Sequence, residues 1–578
     1  MHGNIRRVLS GRGAALGNGG SAMSNDPLLR DRDRPVPAMI APAPQLQHRR
    51  HQGHSFPIHA LLQRNQYRAT SDGMASVFEL YKPFRNKIAE LALDDSLGVI
   101  WAYCQYLQLD KFELPHDIEV NYQFTKLDVP QKWISEWSLE ILAKEIILNS
   151  NPLPKRGKTL RSWNTLSDAV NTLRELENNI YSSRDSASTI DVELIRIAHR
   201  QFTWQMNAPN DASTIRYFKI FNQPTINDIC ICRIGLSVAD VYLCGVAFLG
   251  TFLSHPALNV PFNLDIEALS PDKIERFLAL TARPIRKLRE LLKREQQYNI
   301  NFAYAYNSLR AFPLVQMMFR GKNAIACPLP TLLFWRMTAG LYYELLKDPR
   351  FSQAYGRSFQ DYVGEVVRRA CPPGRIQVLS EQRYGSKSLA RDSVDWIACD
   401  AESAMFIECK AKRLSWPAKS VLDDLGALEA DIGLMARAVA QVYRTIVDYL
   451  QCQYPHLPFA PSRTIYPVIV TLENWHAFGI GILDRLHNAV RTKLREADIP
   501  SSFLDDMPYS IWSIEELEAG MQIVNSVGIQ HVLAGKLRDK EMKRWEWLPY
   551  FTHQFPEHFP TRKLFRDQYD SLFSDILA

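Results

Sequence analysis

The segment SVDWIACDAESAMFIECKAKRL, residues 393–414, carries three ionisable side chains, Asp395, Glu408 and Lys410, inside two runs of strand-forming, mostly apolar residues. Asp400-Ala401-Glu402-Ser403 is the polar punctuation between the runs and reads as a turn. With Asp400 facing Ser403, Asp395 falls directly opposite Glu408, and directly opposed residues of an antiparallel pair hold their Cβ atoms about 4.5–5.5 Å apart. Lys410 projects from the same face, because side chains alternate along a strand. Two carboxylates held that close repel, so either one keeps a proton or a cation lies between them. Mg²⁺ (or Mn²⁺) suits such a place, since the hard ion takes one or two carboxylates and completes its shell with waters and substrate phosphate. The neighbouring ammonium could hold or help deprotonate an attacking water, or neutralise charge growing on phosphorus. The expected chemistry is hydrolysis of a phosphodiester. Asp392 and Asp400 are rival acids, but both lie at strand ends, where Asp caps turns.

The elements around this hairpin predict an α/β unit after about residue 350. Residues 356–370 place Phe359, Tyr362, Val363, Val366 and Ala370 on one helical face, with Glu365 beside it. Strands are expected over 375–385, 393–400 and 404–412. A long amphipathic helix carrying Leu425, Leu428, Ile432, Met435, Val439, Val442, Ile446 and Leu450 follows. A buried strand over 466–474 and a strand running into a helix over 509–518 complete the order α-β-β-β-α-β.

That order, with an acid on the second strand and Glu408-Cys409-Lys410 on the third, resembles the PD-(D/E)XK (restriction-endonuclease-like) nuclease superfamily. The resemblance covers about 350–530 and departs from the motif in having Val394 before the aspartate. It implies a restriction-endonuclease-like αβββαβ core with a central mixed sheet, in which Asp395, Glu408 and the Cys409 carbonyl bind Mg²⁺ and Lys410 assists the water. Glu365 matches a further helical glutamate of many members. Gln441 and Tyr443 match loosely a glutamine and tyrosine on the helix after the third strand, at a different spacing. Lys387, Arg391, Lys412 and Arg413 flank the site as a basic rim for a phosphate backbone, though such residues are common on any surface. The implied substrate is nucleic acid, DNA favoured over RNA. An RNA nuclease with the same three residues and an inactive copy of the fold serving as scaffold are the alternatives.

The other two-thirds of the 578-residue chain reads as a multidomain α + α/β arrangement with a helical N-terminal half. Residues 1–70, rich in Gly, Pro, Arg and His, are expected to be a disordered tail, with an organelle transit peptide left open. Residues 76–345 form a mainly helical region that could recognise substrate, bind a protein partner or receive a trigger, a layout that by analogy suggests a regulated bacterial defence effector. One basic helical run spans 270–297, and 328–346 is expected between the two halves; 531–578 reads as a C-terminal extension. Ile231–Leu253 is long enough to span a bilayer but holds Arg233 and Asp240, which favours one buried helix and no membrane segment. Nine cysteines without a CxxC pair suit a reducing cytoplasm. The formal net charge of +6 is too small to select a polyanion partner by itself.

Overall fold

The computed structural model describes residues 76–577, apart from 110–111, 121–133, 151–157, 183–189, 206–208, 265, 387–389, 421–424, 476–479 and 562. The tail over 1–70 lies outside this range, as does Lys387. The chain is mixed α/β with a helical N-terminal half. That half also holds a sheet not foreseen from the sequence, ordered β1-β4-β3-β2, from Ala257–Asn259 (β1), Ala282–Pro284 (β2), Leu314–Phe319 (β3) and Lys322–Ala326 (β4).

Two helical expectations break at identifiable residues. The basic run divides into Pro271–Thr281 and Ile285–Glu295, with β2 ending at Pro284, whose ring excludes a continuous helix. Its arginines also have different uses: Arg289 donates to the Ile147 and Ser150 carbonyls, while Arg286 is exposed on the surface and only loosely paired with Glu290 at 3.8 Å. The apolar window divides into Pro224–Ile234 and Val238–Ser254, bent by 66°. Gly235 makes the break in a left-handed conformation at φ +74°. Asp240 then closes a capping box with Ser237, which explains a charge inside an apolar run. Among the described residues, no single helix is long and apolar enough to cross a membrane.

From residue 351 the order is helix Phe351–Ala370, strand Gln377–Ser380 (β5), a ribbon of Arg383–Tyr384 (β6) with Arg391–Asp392 (β7), then Trp396–Cys399 (β8) and Ser403–Lys410 (β9). Helix Leu425–Leu450, strand Thr464–Thr471 (β10), helix Ile480–Glu496, strand Ser510–Ser513 (β11) and helix Ile514–Val527 follow. The sheet runs β11-β10-β9-β8-β5, antiparallel at β5/β8 and β8/β9 and parallel at β9/β10 and β10/β11. The expected first strand is thus two pieces, and its second piece leaves the main sheet.

Alternation along these strands feeds two cores. Trp396, Ala398, Met405 and Ile407 join an apolar cluster continuous with the helical half, while Ile397, Cys399, Ala404 and Phe406 face the Leu425–Leu450 side. Asp395, Glu408 and Lys410 share the parity of this second face. On the first face, Gly364 lets the Phe351–Ala370 helix settle on Trp396: a Cβ there would stand 2.0 Å from the indole Cζ2. Trp396 Nε1 also donates to the Gln360 carbonyl at 3.0 Å. Gly364→Ala is therefore expected to destabilise the protein by about 1–3 kcal/mol through overpacking, outweighing the roughly 1 kcal/mol of helix propensity gained, as a lower urea midpoint would register.

The segment 328–346 holds helices Pro330–Met337 and Leu341–Leu345 and does lie between the halves: Met337 meets Gly245, and the Ala339 carbonyl accepts from Arg413. The C-terminal extension folds back, with Asp567 pairing Arg369 and Arg566 pairing Asp211.

Candidate active site

The register across β8 and β9 is Trp396 with Ile407, Ile397 with Phe406, Ala398 with Met405 and Cys399 with Ala404. Continued by one residue, it sets Asp395 against Glu408, as the turn at Asp400-Ser403 requires. Asp400 fixes that turn by accepting the Glu402 and Ser403 N–H groups, so this rival acid is a structural cap. Asp395 Oδ2 accepts the Cys409 N–H at 2.6 Å, which binds the acid to the strand opposite. Glu408 Oε1 accepts Lys410 Nζ at 2.6 Å, whereas Glu408 Oε2 is buried without a hydrogen-bond partner.

Burial pushes Asp395 up to about 6, with the Glu381 carboxylate adding to the rise and the Cys409 N–H and Lys410 opposing it. Burial, then the Asp395 charge, pushes Glu408 up to about 8 against the pull of Lys410. For Lys410, burial alone would favour the neutral amine, but Glu408 and Asp395 outweigh it and hold the ammonium above its ordinary range. Lys410 is thus a cation at neutral pH, and its 34% exposed side chain can reach a ligand arriving from solvent.

Glu381 was missed in the sequence. It follows β5, its N–H donates to the Asp395 carbonyl at 2.7 Å, and its carboxylate accepts from Gln360 at 2.9 Å. The signal was its place at the end of the strand that pairs with β8, which becomes meaningful only once β5 and β8 are known neighbours. Glu365, which the sequence suggests for this role, instead pairs with Lys219 of the helical half at 2.8 Å. It projects toward helix Asp211–Phe221, and Gln360 is the residue of its helix that reaches toward the site.

Gln441 stands beside the hairpin, its Oε1 accepting from Lys410 Nζ at 3.4 Å. Tyr443, two residues on, points into the core and donates to the Met507 carbonyl. The rim needs correcting too. Arg413 is buried against Glu473, the Ala339 carbonyl and Tyr355, and stacks on Tyr342. Lys412 pairs with Asp431, while Arg391 pairs with Asp448 and keeps its side chain half-exposed.

Among the described residues, no three His, Cys, Asp or Glu side chains converge as a metal cage. The pair Asp395 and Glu408 nevertheless fits Mg²⁺, which needs only one or two protein carboxylates, and the unsatisfied Glu408 Oε2 is a ready oxygen donor. Compared with models of protein families, with curated proteins and with solved structures, the chain matches none.

In the metal-free protein, these pKa shifts set a direction for stability. A carboxyl whose folded pKa is raised contributes stability below its unfolded value, near 4, and that contribution is lost as pH rises through the folded value. With EDTA present, the share of stability due to Asp395 and Glu408 is expected to fall between about pH 4 and 8. Melting curves at pH 5, 7 and 9 on the wild type and on Asp395→Asn/Glu408→Gln check this: the double variant should show the weaker decline.

Proposed function

We propose that this chain is a metal-dependent nuclease of the PD-(D/E)XK kind, hydrolysing phosphodiester bonds of nucleic acid, with DNA favoured over RNA. The observation that carries the reading is the buried carboxylate pair opposed across β8 and β9, with one Glu408 oxygen unsatisfied and a charged lysine hydrogen-bonded to the other. The mixed order β11-β10-β9-β8-β5 and the flanking helices support the restriction-endonuclease-like core.

Asp395, Glu408 and the Cys409 carbonyl would hold Mg²⁺ or Mn²⁺, which when bound supplies Lewis acidity and a more acidic water. Asp395 is kept in place by the Cys409 N–H, so its carboxylate has little freedom to turn away. Lys410, as an ammonium, holds the attacking water or a non-bridging phosphate oxygen and offsets negative charge as it develops on the phosphoryl group. Gln441 restrains the ammonium from the helix side. Glu381 lies behind Asp395 and strengthens the local demand for a cation. Arg391, 49% exposed, and Lys412, 41% exposed, are the described rim cations that can meet a phosphate backbone.

Digestion of plasmid, linear and single-stranded DNA and of total RNA with Mg²⁺, Mn²⁺ or EDTA tests the reading. Cleavage lost in EDTA and in Asp395→Asn supports it, and the substrate cut separates DNA from RNA. No cleavage of any substrate, together with no calorimetric Mn²⁺ binding, would reject it in favour of the scaffold. Gln441→Leu is expected to lower kcat by roughly 10-fold with little change in KM, the pattern for a residue that orients a catalytic group.

A further inference from the structure

A cavity of about 50 Å³ opens in the helical half between helix Glu136–Asn149, helix Ile190–Gln205, the 302–310 segment and the short helix Trp416–Ser420. On the measure by which one water needs about 10–15 Å³, this space takes several waters or one compact anion. Its wall carries the cations Lys144, Arg196, Arg200, Arg310 and Lys419 against one carboxylate, Glu140.

Four of these cations have a carboxylate of their own. Arg310 forks onto Glu140 at 2.5 and 2.7 Å, Arg196 pairs with Glu193 at 2.9 Å, Arg200 with Glu177 at 2.6 Å and Lys419 with Glu473 at 2.6 Å. Lys144 has none. It is 3% exposed, its Nζ lies 5.9 Å from the Phe302 ring, and it makes no hydrogen bond or ion pair with any described residue. The glutamates in its vicinity are taken by other donors: Glu145 by Tyr81, Asn149 and Gln296, Glu295 by Ser308, and Glu140 by Arg310. Burial accordingly pushes the Lys144 ammonium below its ordinary range, against the fields of those glutamates. A buried charge without a partner costs several kcal/mol and is normally matched by a counter-charge.

We propose that this cavity is a binding site for a compact phosphate dianion, free or as the phosphate of a phosphomonoester, with Lys144 as its principal donor. Tyr304, with the Arg196 guanidinium 3.8 Å from its ring centroid, and Trp137 give the wall aromatic surface beside the cations. A ligand carrying a base or sugar could rest on it. The site is independent of the Asp395–Glu408 pair and of the activity proposed for it.

Titration calorimetry and melting curves with inorganic phosphate and with AMP test this, in EDTA so that no metal at Asp395 and Glu408 can recruit phosphate. Wild type is expected to bind at least one of the two and to melt at a higher temperature with it. Lys144→Met, whose uncharged side chain removes a buried charge and so should fold at least as well, is expected to bind at least 10-fold more weakly. Lys144→Gln serves the same purpose if the methionine does not pack. Tighter binding of AMP assigns a nucleoside monophosphate, and binding of phosphate alone assigns the free anion. Absence of binding by wild type, or equal affinity in the Lys144 variants, overturns the proposal.

Discussion

On the proposed reading, Asp395→Asn and Lys410→Met are each expected to reduce metal-dependent cleavage by at least about 10²–10³-fold while leaving the fold intact, because the first removes a carboxylate that would hold the metal and the second a cation that would offset charge on the phosphate. The two losses should differ in kind. Asp395→Asn keeps the volume of the side chain and removes a metal ligand, so Mn²⁺ affinity should fall together with kcat. Lys410→Met should leave metal affinity equal or better, since it removes a cation from beside Glu408, yet still lose the chemical step. Calorimetric Mn²⁺ titration beside single-turnover cleavage checks both. Comparable cleavage by wild type and Lys410→Met would sink the assignment of Lys410, and unchanged Mn²⁺ affinity in Asp395→Asn would sink that of Asp395. Asp395→Asn should also be at least as stable as wild type without metal, because it relieves the repulsion between two buried carboxylates, whereas Lys410→Met takes the ammonium from Glu408 and should be no more stable than wild type.

The hairpin could be read from sequence because its geometry is local. A four-residue polar punctuation and a period of two fix which residues oppose one another, and the pairing of Trp396 with Ile407 follows from those alone. Helical positions carry no such internal register toward the sheet. Which side of the Phe351–Ala370 helix meets the site depends on how Gly364 seats it on Trp396, and that docking sends Glu365 to Lys219 and Gln360 to Glu381. The same reason separates Gln441 from Tyr443, which stand about 200° apart around one helix. The sheet of β1–β4 went unseen because β1 and β2 are three residues each, too short for a period of two to register. Arg413 looked like rim by its position after Lys410. Only the folded chain brings Glu473, after β10, alongside it.

That last contact carries the largest stability effect expected in this protein. Glu473 is 1% exposed and sits between Arg413, 3.3 Å away and 5% exposed, and Lys419, 2.6 Å away and 2% exposed. Two buried cations thus share one buried carboxylate, and removing it leaves both without their counter-charge. Glu473→Leu is expected to destabilise the protein by about 3–5 kcal/mol, the magnitude for breaking a buried ion pair from one side. Burial pushes Lys419 below its ordinary range even with the glutamate present, so the lysine can shed its proton in the variant, whereas Arg413 cannot. Lys419→Met in the Glu473→Leu background should therefore recover only part of the loss, and the two substitutions should combine to less than the sum of their separate effects. Urea unfolding of wild type, both single variants and the double variant measures the coupling. Additive effects would mean that the pair contributes nothing as a pair. A strong coupling would tie the end of β10, whose Thr471 lies beside Lys410, to the wall of the Lys144 cavity through one carboxylate.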